Sequence, residues 1–409
     1  MKLKPRILEK VIRRAIKTFP ALVVTGPRQS GKTTLFKMLF SHSHTFVSLE
    51  DPDIRMRARD DPRGFISQYK PPLIIDEIQY CPQLLSYIKT EIDQKRLPGQ
   101  WLFTGSQNFA LMHNISQSLA GRIAVLFLLP FSLSERLDNY KNASDMQKLF
   151  KELNLKSHFK KQISLTDVLL RGFFPEISCR RNVDRRIWCS SYITTYLERD
   201  IRTLVNIGDL GQFERFLVAC AVRSGQILNL SEIARDIGIS VTTAKRWLSL
   251  LETGQQIYLL YPYYKNIGKR IIKSPKIYFT DPALCAYLLG LDNPSMLLKS
   301  PNFSHLFETL VVCDFWKRFL HFGQRPSMYY LRTRDGLEID LLIELHNKIY
   351  LFEIKSMMTI LPKHALSLKK AISSLGSKVA KASIISCSED NFLVSDKIYN
   401  YSWKNILPL

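Results

Sequence analysis

A glycine-rich motif of the form GxxxxGK[ST] follows the first apolar strand candidate of the chain, Ala21–Thr25. Its residues are Gly26, Pro27, Arg28, Gln29, Ser30, Gly31, Lys32 and Thr33, and Thr34 continues into a helix candidate that ends at Phe40. Glycines in such a loop let consecutive backbone N–H groups and a helix N-terminus point at phosphate groups. The pattern predicts that Lys32 neutralises the β- and γ-phosphates and that the Thr33 hydroxyl binds Mg²⁺. We therefore expect residues 26–34 to bind a nucleotide.

Two acidic residues, Asp76 and Glu77, directly follow the apolar strand candidate Leu73–Ile75. In a phosphate-binding site of this kind, Asp76 would hold the hydrated metal ion, and Glu77 would polarise the water that attacks the γ-phosphate. Two acids at a strand end, taken alone, also suit a helix cap or a solvated loop. Their combination with the phosphate-binding motif favours hydrolysis, and an acid directly after the metal-binding Asp favours ATP over GTP.

Two further positions are candidates for contacting the γ-phosphate. Ser106, with Gln107 as second choice, follows the strand candidate Trp101–Thr104, although ordinary turn chemistry explains the same residues. Arg122 ends a helix candidate just before the next strand, where it is a candidate arginine finger that reaches the nucleotide of a neighbouring subunit. The alternative for Arg122 is a cation that binds the carbonyl groups at a helix C-terminus.

A parallel sheet is the element that would bring these residues together. Short apolar runs alternate with helical stretches between Leu8 and about Leu133. The strand candidates are Ala21–Thr25, Thr45–Leu49, Leu73–Ile75, Trp101–Thr104 and Ile123–Leu128. Such alternation predicts an α/β domain with a parallel sheet. We expect the fourth strand to lie between the first and the third, so that Ser106 emerges beside the acids.

These motifs, in this order and at these intervals, closely resemble a prokaryotic family of AAA-type P-loop ATPases that carry a C-terminal domain of unknown function. The motifs of the ATPase part are GPRQSGKTT, LIIDEIQ, LFTGSQ and SLAGR. Landmarks further along the chain are RGFFPE, TYLERD, KRWL, Lys269–Arg270 and SPKIYF. The resemblance covers nearly the whole chain. It implies a P-loop NTPase sheet of the AAA type, a helical segment with a winged helix, and a small nuclease-like α/β domain.

The segment from Leu230 to Leu248 reads as a helix, a glycine-containing turn and a second helix. Ser231 is expected to cap the first helix and Ser240 the second. Polar residues expected on the N-terminal half of the second, DNA-recognition helix are Thr242, Thr243, Lys245 and Arg246. Apolar residues expected to form the small core are Ile233, Ala234, Ile237, Val241, Ala244 and Leu248. The pattern predicts a winged-helix module that binds DNA.

A basic segment follows this module and would supply its wing. Its cations are Lys265, Lys269, Arg270, Lys273 and Lys276. In the winged-helix interpretation they lie over a phosphate backbone. The alternative is a helical bundle used for protein contacts, with a solvated basic face.

The last candidate site is the run Glu353-Ile354-Lys355, in which alternation puts an acid and a base on one face of a strand. A turn near His346–Asn347 is expected to bring Asp340 opposite Phe352 or Glu353. Glu308 lies on the preceding helix candidate. This order of residues resembles the core of PD-(D/E)XK nucleases.

The nuclease resemblance implies that Glu308, Asp340 and Glu353 bind Mg²⁺ and that Lys355 orients the attacking water. Asp340 follows Ile339 rather than the Pro of the family pattern. Two alternatives stay open for the same residues. They are a surface face of ion pairs on a hairpin, and a retained fold that binds DNA without cutting it.

The composition is that of a folded protein with a polyanionic partner. The 409 residues are 46% hydrophobic and 23% charged, and 58 Lys and Arg against 36 Asp and Glu give a net charge of +22. This charge favours nucleic acid first and an anionic membrane surface second. No apolar run has transmembrane length, and the basic N-terminal segment lacks the core of a signal peptide and the composition of a transit peptide. Seven scattered cysteines suit a reducing compartment, so we expect a cytoplasmic protein.

We expect four segments: the ATPase domain at 1–138, a linker and helical segment at 139–210, a winged-helix-like domain at 211–280 and a nuclease-like domain at 281–409. The predicted function is Mg²⁺-dependent ATP hydrolysis with DNA binding, DNA cleavage if the acid set is active, and homo-oligomer contacts through the nucleotide site. The alternative is an ATP-driven, protein-binding regulator with an inactive nuclease-like domain. A third hypothesis is a membrane-peripheral ATPase held by its basic N-terminus.

Overall fold

A computed structural model describes most of the chain. The described residues are 3–106, 115, 118–139, 145–153, 155, 159, 162–196, 210–264, 274–333 and 335–407. The chain forms two compact units: Met1–Phe131 with Thr253–Gln255 and Arg318–Gln324, and Ser132–Glu252 with Gln256–Lys317 and Arg325–Leu409. Within the described ranges, no helix combines the length and apolar character needed to cross a membrane. All seven cysteines are free thiols.

The first unit is built on a five-stranded parallel sheet with the order β2-β3-β4-β1-β5. The strands are β1 (Ala21–Gly26), β2 (Thr45–Ser48), β3 (Leu73–Asp76), β4 (Trp101–Ser106) and β5 (Ile123–Phe127). Each agrees with its sequence candidate to within two residues, and β4 lies between β1 and β3 as expected. The parallel order puts the carboxyl ends of β1, β3 and β4 at one edge of the sheet.

Helices cover both faces of this sheet. They are α1 (Leu8–Ala15), α2 (Lys32–Phe40), α3 (Pro52–Asp60), α4 (Pro62–Gln68) and α5 (Leu84–Gln94). Alternate residues of β1 enter two separate cores: Leu22 and Val24 lie in the core with Phe36 of α2, whereas Ala21 and Val23 lie in the core with Leu85 of α5. A sheet buried on both faces has the continuously apolar strands seen in this sequence.

The second unit begins with short helices. They are α6 (Leu133–Arg136), α7 (Met146–Glu152), α8 (Leu165–Arg171), α9 (Pro175–Cys179) and α10 (Arg185–Tyr196). The linker and helical segment expected at 139–210 includes α7, which is packed within this unit where it is described. Its Phe150 is buried and stacks on Tyr350, with ring centroids 4.7 Å apart.

Three helices and a small sheet follow in the order α11, β6, α12, α13, β7, β8. Their bounds are α11 (Leu210–Val222), β6 (Gln226–Ile227), α12 (Leu230–Ile237), α13 (Val241–Thr253), β7 (Ile257–Leu260) and β8 (Lys276–Phe279). The sheet is antiparallel, with β8 in the centre. Trp247 of α13 packs edge-on against Phe213 and Phe216 of α11, with centroid distances of 5.2 and 5.5 Å.

Two details of this module differ from expectation. Asn229, not Ser231, caps α12, because its side chain accepts a hydrogen bond from the Glu232 amide. Val241 is 48% exposed and is not part of the core, since it occupies the first position of α13. Ser240 does cap α13 by accepting a hydrogen bond from the Thr243 amide at 3.0 Å.

The C-terminal part is a six-stranded mixed sheet with the order β13-β14-β12-β11-β10-β9. Its helices and strands are α14 (Pro282–Leu288), α15 (Pro294–Lys299), α16 (Phe303–His321), β9 (Met328–Arg332), β10 (Glu338–Leu345), β11 (Lys348–Lys355), α17 (Leu366–Leu375), β12 (Val379–Ser386), β13 (Phe392–Ser395), β14 (Ile398–Ser402) and α18 (Trp403–Ile406). Strands β9, β10 and β11 pair antiparallel, whereas β11, β12 and β14 run parallel.

The β10–β11 hairpin sets the register of the acidic residues. His346 and Asn347 both have positive φ, 48° and 63°, as a tight two-residue hairpin turn requires. Leu341 pairs with Phe352, which places Asp340 level with Glu353 as the sequence predicted. The hairpin therefore brings residues from its two strands to one place.

Candidate nucleotide site and C-terminal acid cluster

The loop between β1 and α2 has the backbone conformation of a phosphate cradle. Gly26 has φ 155°, and a Cβ at this position would lie 2.2 Å from the Leu128 carbonyl oxygen. Gly31, directly before α2, has φ 96°. Both positions need glycine because one has no room for a side chain and the other is left-handed. The loop then leads into the N-terminus of α2, whose amides favour anions.

Two buried cations hold this loop. Lys32 is 5% exposed, and its Nζ donates hydrogen bonds to the carbonyl oxygens of Gly26 and Pro27 at 3.1 and 2.9 Å. Arg6 is 4% exposed and donates to the Ser30 carbonyl at 2.9 Å and to the Leu129 carbonyl at 2.6 Å. Arg6 thereby joins the loop to the segment after β5.

Asp76 lies at the centre of a polar group at the sheet edge. Its Oδ1 accepts hydrogen bonds from Thr33 Oγ1 at 2.7 Å and from Thr104 Oγ1. Its Oδ2 is 3.4 Å from Ser48 Oγ. The predicted metal residues Thr33 and Asp76 are thus in direct contact, and Thr104 and Ser48 are partners that sequence reasoning did not assign.

Glu77 and Ser106 flank this group. Glu77 is 9% exposed and has φ 54°, and its amide donates to Thr104 Oγ1 at 3.2 Å while its Oε2 accepts from Gln79 Nε2. Ser106 pairs in register with Gly26, and its buried Oγ has no hydrogen-bond partner among the described residues. Gln107, the second choice for this role, lies outside the described residues. Ser106 therefore presents a hydroxyl beside the phosphate loop.

These side chains suit a magnesium nucleotide. Hydroxyl and carboxylate oxygens are the ligands that Mg²⁺ prefers, and it keeps several waters besides one or two protein ligands. Thr33 and Asp76 supply such oxygens next to the phosphate loop, and the unpartnered Ser106 hydroxyl lies at the same sheet edge. The residues present therefore fit the predicted Mg²⁺.

Arg122 lies at the opposite edge of the sheet, where β5 begins. Its Nε and Nη2 donate to the two carboxylate oxygens of Asp93 at 2.6 and 3.1 Å, and its Nη1 donates to the Ala120 carbonyl at 3.1 Å. The carbonyl contact matches the alternative interpretation of a cation at a helix end. Within this chain, Arg122 is not directed at the phosphate loop.

The predicted DNA-contacting residues on α13 lie at the surface. Thr242, Lys245 and Arg246 are exposed, and Thr243 is half-buried. The residues predicted for a wing, Lys265, Lys269, Arg270 and Lys273, lie outside the described residues. Lys276, which we expected on the wing, is only 3% exposed because it begins β8 and points into a cluster of carboxylates.

That acid cluster is the second polar site, and it contains the four residues predicted for the nuclease-like set together with Lys276. Lys276 Nζ lies 3.2 Å from Glu308, 3.0 Å from Glu338 and 3.7 Å from Asp340. On the other side of Asp340, Lys355 Nζ lies 3.8 Å from Asp340 and 3.0 Å from Glu353. The acids and lysines therefore alternate in the order Glu308, Lys276, Asp340, Lys355 and Glu353.

Hydrogen bonds complete the acid cluster. Asp340 Oδ2 accepts from the Ile354 amide at 2.8 Å, and Glu308 Oε1 accepts from Tyr278 Oη at 2.6 Å. Glu353 Oε2 is buried without a partner among the described residues. Tyr278 and Lys276 both belong to β8, so this strand supplies two of the groups that bind Glu308.

Burial and mutual repulsion shift the proton equilibria in the cluster. Burial and the nearby Asp340 raise the pKa of Glu308 to about 7, and the same two causes raise the pKa of Glu353 to about 7. Burial alone would lower the pKa of Lys276, but the carboxylates of Glu308 and Asp340 raise it above its usual value. Both lysines in the cluster therefore carry a positive charge.

This cluster does not fit the metal centre that the nuclease resemblance implies. In the part of the chain that is described, no group of three or more His, Cys, Asp or Glu side chains is arranged to hold a metal ion. A lysine ammonium contacts Glu308 and Asp340 together, and a second lysine contacts Asp340 and Glu353. Each predicted metal ligand is instead the partner of a lysine.

Sequence reasoning missed Arg6, Thr104 and the role of Lys276. Arg6 lies before the first helix, and its contact with the Ser30 carbonyl joins residues that are 24 positions apart in the sequence. Thr104 was visible as a hydroxyl two residues before Ser106, at the end of a strand beside the acids. Lys276 was wrongly predicted to lie on the exposed wing, because it follows several basic residues in the sequence.

Family models match three consecutive parts of the chain. Residues 18–137 match an AAA domain, residues 162–295 match a domain of unknown function (DUF8612), and residues 303–406 match a domain of unknown function (DUF4143). The AAA match covers the sheet and the phosphate loop described above. The C-terminal match covers the six-stranded sheet and the whole of α16.

Two solved structures are similar at a low level. The Walker-type ATPase PABY2304 of Pyrococcus abyssi is 15% identical, with 69% of this chain and 94% of that chain covered and a TM-score of 0.44. A single-substitution variant of RuvB from Thermotoga maritima is 15% identical, with 61% of this chain and 88% of that chain covered and a TM-score of 0.32.

Two uncharacterized mycobacterial proteins are similar over nearly the whole chain. Rv2008c of Mycobacterium tuberculosis and Mb2031c of Mycobacterium bovis are each 30% identical over 387 residues, which cover 95% of this chain and 81% of each relative. The similarity includes the AAA domain and the C-terminal domain of unknown function. The chain therefore belongs, with these two relatives, to a family of AAA-type P-loop ATPases that carry a C-terminal DUF4143 domain.

Proposed function

We propose that the protein hydrolyses ATP with Mg²⁺ and binds DNA through the module formed by α11, α12, α13 and the β6-β8-β7 sheet. The observation that supports hydrolysis is the meeting of four groups at one sheet edge. The phosphate loop, the Thr33–Asp76 pair, Glu77 and Ser106 all lie at the carboxyl ends of β1, β3 and β4. In open α/β sheets, ligands bind at that edge.

Each residue of this edge has a distinct proposed task. Lys32 and the loop amides bind the phosphates, and Ser106 contacts the γ-phosphate. Thr33 and Asp76 would hold Mg²⁺, which neutralises phosphate charge when it is bound. Glu77 accepts a hydrogen bond from the attacking water and orients it towards the γ-phosphate. Arg6 positions the loop through the Ser30 carbonyl.

The order of elements from α11 to β8 supports DNA binding. A helix, a short strand, two helices and an antiparallel strand pair form the winged-helix arrangement, and its third helix is the one that enters the major groove. That helix, α13, exposes Thr242, Lys245 and Arg246. The net charge of +22 supplies long-range attraction to a polyanion.

The C-terminal elements support a nuclease-like fold. The order α16, β9, β10, β11, α17, β12 is a helix, three antiparallel strands, a second helix and a strand that pairs parallel with β11. This is the arrangement expected from the PD-(D/E)XK resemblance. The divisions near residues 138, 210 and 280 stay predictions, as does the cytoplasmic location that the seven free thiols support.

We also propose that subunits contact each other through the nucleotide site. Arg122 lies at the sheet edge away from its own phosphate loop with its side chain 27% exposed, so it is open to the nucleotide of a neighbouring subunit. Mixing Glu77→Gln subunits with Arg122→Ala subunits tests this, because a mixed interface contains one site with both Glu77 and Arg122, and hydrolysis should rise above the average of the two pure samples. Hydrolysis equal to that average would contradict the proposal.

The function is tested by measuring ATP hydrolysis with Mg²⁺, with and without single- and double-stranded DNA, for the wild type and Lys32→Ala. DNA binding is measured by fluorescence anisotropy across a range of salt concentrations. DNA binding with a steep salt dependence and hydrolysis lost in Lys32→Ala would support the proposal. DNA binding with a weak salt dependence, together with hydrolysis that added DNA does not change, would favour the protein-binding regulator instead.

A further inference from the structure

The acid cluster of the C-terminal domain already contains a cation that belongs to the chain. Lys276 Nζ contacts three carboxylates, those of Glu308, Glu338 and Asp340, within 3.7 Å. Its side chain is 4% exposed, so water contributes little to its stabilisation. An ammonium in this setting is stable only because the carboxylates around it replace the water it has lost.

The source of this lysine is as informative as its position. Lys276 belongs to β8, the central strand of the small sheet beside the recognition helix, and not to the α16–β12 core that supplies the acids. Tyr278, two residues further along β8, donates a hydrogen bond to the same Glu308. Two adjacent same-face side chains of one strand therefore bind a helix of the C-terminal domain.

We infer that Lys276 takes the place of the divalent cation in the nuclease-like cluster, so that the cluster anchors β8 and does not cleave DNA. The inference rests on the proposed nuclease-like fold. Glu308 and Asp340 are two of the three acids that would share a metal ion, and the Lys276 ammonium contacts both. The domain then connects the DNA-binding module to the C-terminal sheet by a buried ion network.

The chemistry separates this inference from an active nuclease. A hydrolytic metal needs carboxylate oxygens that are open to it and to a water or phosphate. Here the ammonium of Lys276 and that of Lys355 each lie between two acids. Removing the charge of Lys276 would leave these acids uncompensated, and a divalent cation would then be the natural replacement.

The test measures Mn²⁺ binding to the full-length, nucleotide-free protein. Binding is detected as a decrease in the electron paramagnetic resonance signal of free Mn²⁺. Four proteins are compared: the wild type, Lys276→Met, Lys276→Arg and the double variant Lys276→Met with Asp340→Asn. We expect Lys276→Met to gain one site that binds Mn²⁺ at least tenfold more tightly than any site of the wild type. Lys276→Arg, which keeps the charge, should not gain it, and the double variant should lose it.

Two measurements keep the result interpretable. Circular dichroism and ATP hydrolysis are followed for every variant, because Lys276 is not part of the nucleotide site and hydrolysis should persist. If Lys276→Met does not fold, Lys276→Gln replaces it. A failure of hydrolysis in the wild type would count against the ATPase proposal and not against this inference.

The wild type and Asp340→Asn provide a direct comparison that needs no change at Lys276. Both are incubated with supercoiled plasmid and Mg²⁺ or Mn²⁺. Equal absence of nicking, with no Asp340-dependent Mn²⁺ site, supports the inference. Nicking or a Mn²⁺ site that disappears in Asp340→Asn would overturn it, and so would a Lys276→Met protein that folds but gains no site.

Discussion

The nucleotide site and the acid cluster are built from the same residue types and differ in what their lysines contact. Lys32 donates to the neutral carbonyls of Gly26 and Pro27, whereas Lys276 is surrounded by carboxylates. A phosphate carries full negative charge and competes well against neutral carbonyls for an ammonium. It competes poorly against three carboxylates, of which those of Glu308 and Asp340 are largely buried. The partner of the lysine therefore distinguishes a site prepared for a ligand from one that is already neutralised.

Glu77→Gln is the strongest test of the nucleotide side of this comparison. We expect hydrolysis to fall by about 10²–10⁴-fold, because the amide cannot accept a proton from the attacking water. ATP binding should persist, since Lys32 and the loop are unchanged. Hydrolysis and binding of a fluorescent ATP analogue are measured together. A variant that hydrolyses ATP at the wild-type rate would remove Glu77 from the site.

Lys32→Ala tests whether the lysine of the nucleotide site acts on the ligand. Removing a preorganised cation that faces developing charge is expected to lower hydrolysis by about 10²–10³-fold and to weaken ATP binding. Lys276→Arg, which keeps a cation in the acid cluster, is the matched control and should hydrolyse ATP normally. Intact hydrolysis in Lys32→Ala would show that the phosphate loop is wrongly assigned.

Lys276→Met tests the acid cluster by its effect on the free energy of unfolding. Breaking a buried ion network by removing one partner is expected to lower the free energy of unfolding by about 3–5 kcal/mol. Adding Glu308→Gln removes one uncompensated carboxylate and should recover part of that loss. The measurement is urea unfolding followed by circular dichroism. A loss below about 1 kcal/mol, the range of exposed ion pairs, would show that the cluster is not buried as described.

The double variant Lys245→Ala with Arg246→Ala tests the surface that would bring DNA to these two sites. Losing two phosphate contacts should lower the salt dependence of DNA binding by about two units of slope and weaken binding about tenfold. Lys369→Ala with Lys370→Ala removes the same charge from the exposed face of α17 and is the control. Equal weakening in both double variants would mean that only net charge matters.

The sequence was most informative where residues that act together are close in the chain. The five strands and the phosphate loop follow from local patterns, because buried parallel strands are continuously apolar and the loop motif is contiguous. The hairpin register that sets Asp340 level with Glu353 also follows from a local turn. Ser240 could be identified as a cap for the same reason.

Contacts between distant residues could not be predicted. Lys276 and Asp340 are separated by more than sixty residues, and nothing near Lys276 in the sequence distinguishes it from the surface lysines before it. Arg6 contacts a carbonyl group, which leaves no side-chain signature in the sequence. The role of Trp247 depends on Phe213 and Phe216 of another helix. The choice of Asn229 over Ser231 as a cap depends on where the backbone enters α12.

The Arg6 contacts have a consequence for how the protein is made on the ribosome. One guanidinium joins the carbonyls of Ser30 and Leu129, which are far apart in the chain. Domains of growing chains fold from the N-terminal side as they emerge during synthesis. The phosphate loop emerges early, but this brace cannot form until the segment after β5 has left the exit tunnel. A nascent chain halted before Leu129 should therefore bind ATP poorly, and one released past that point should bind it at once.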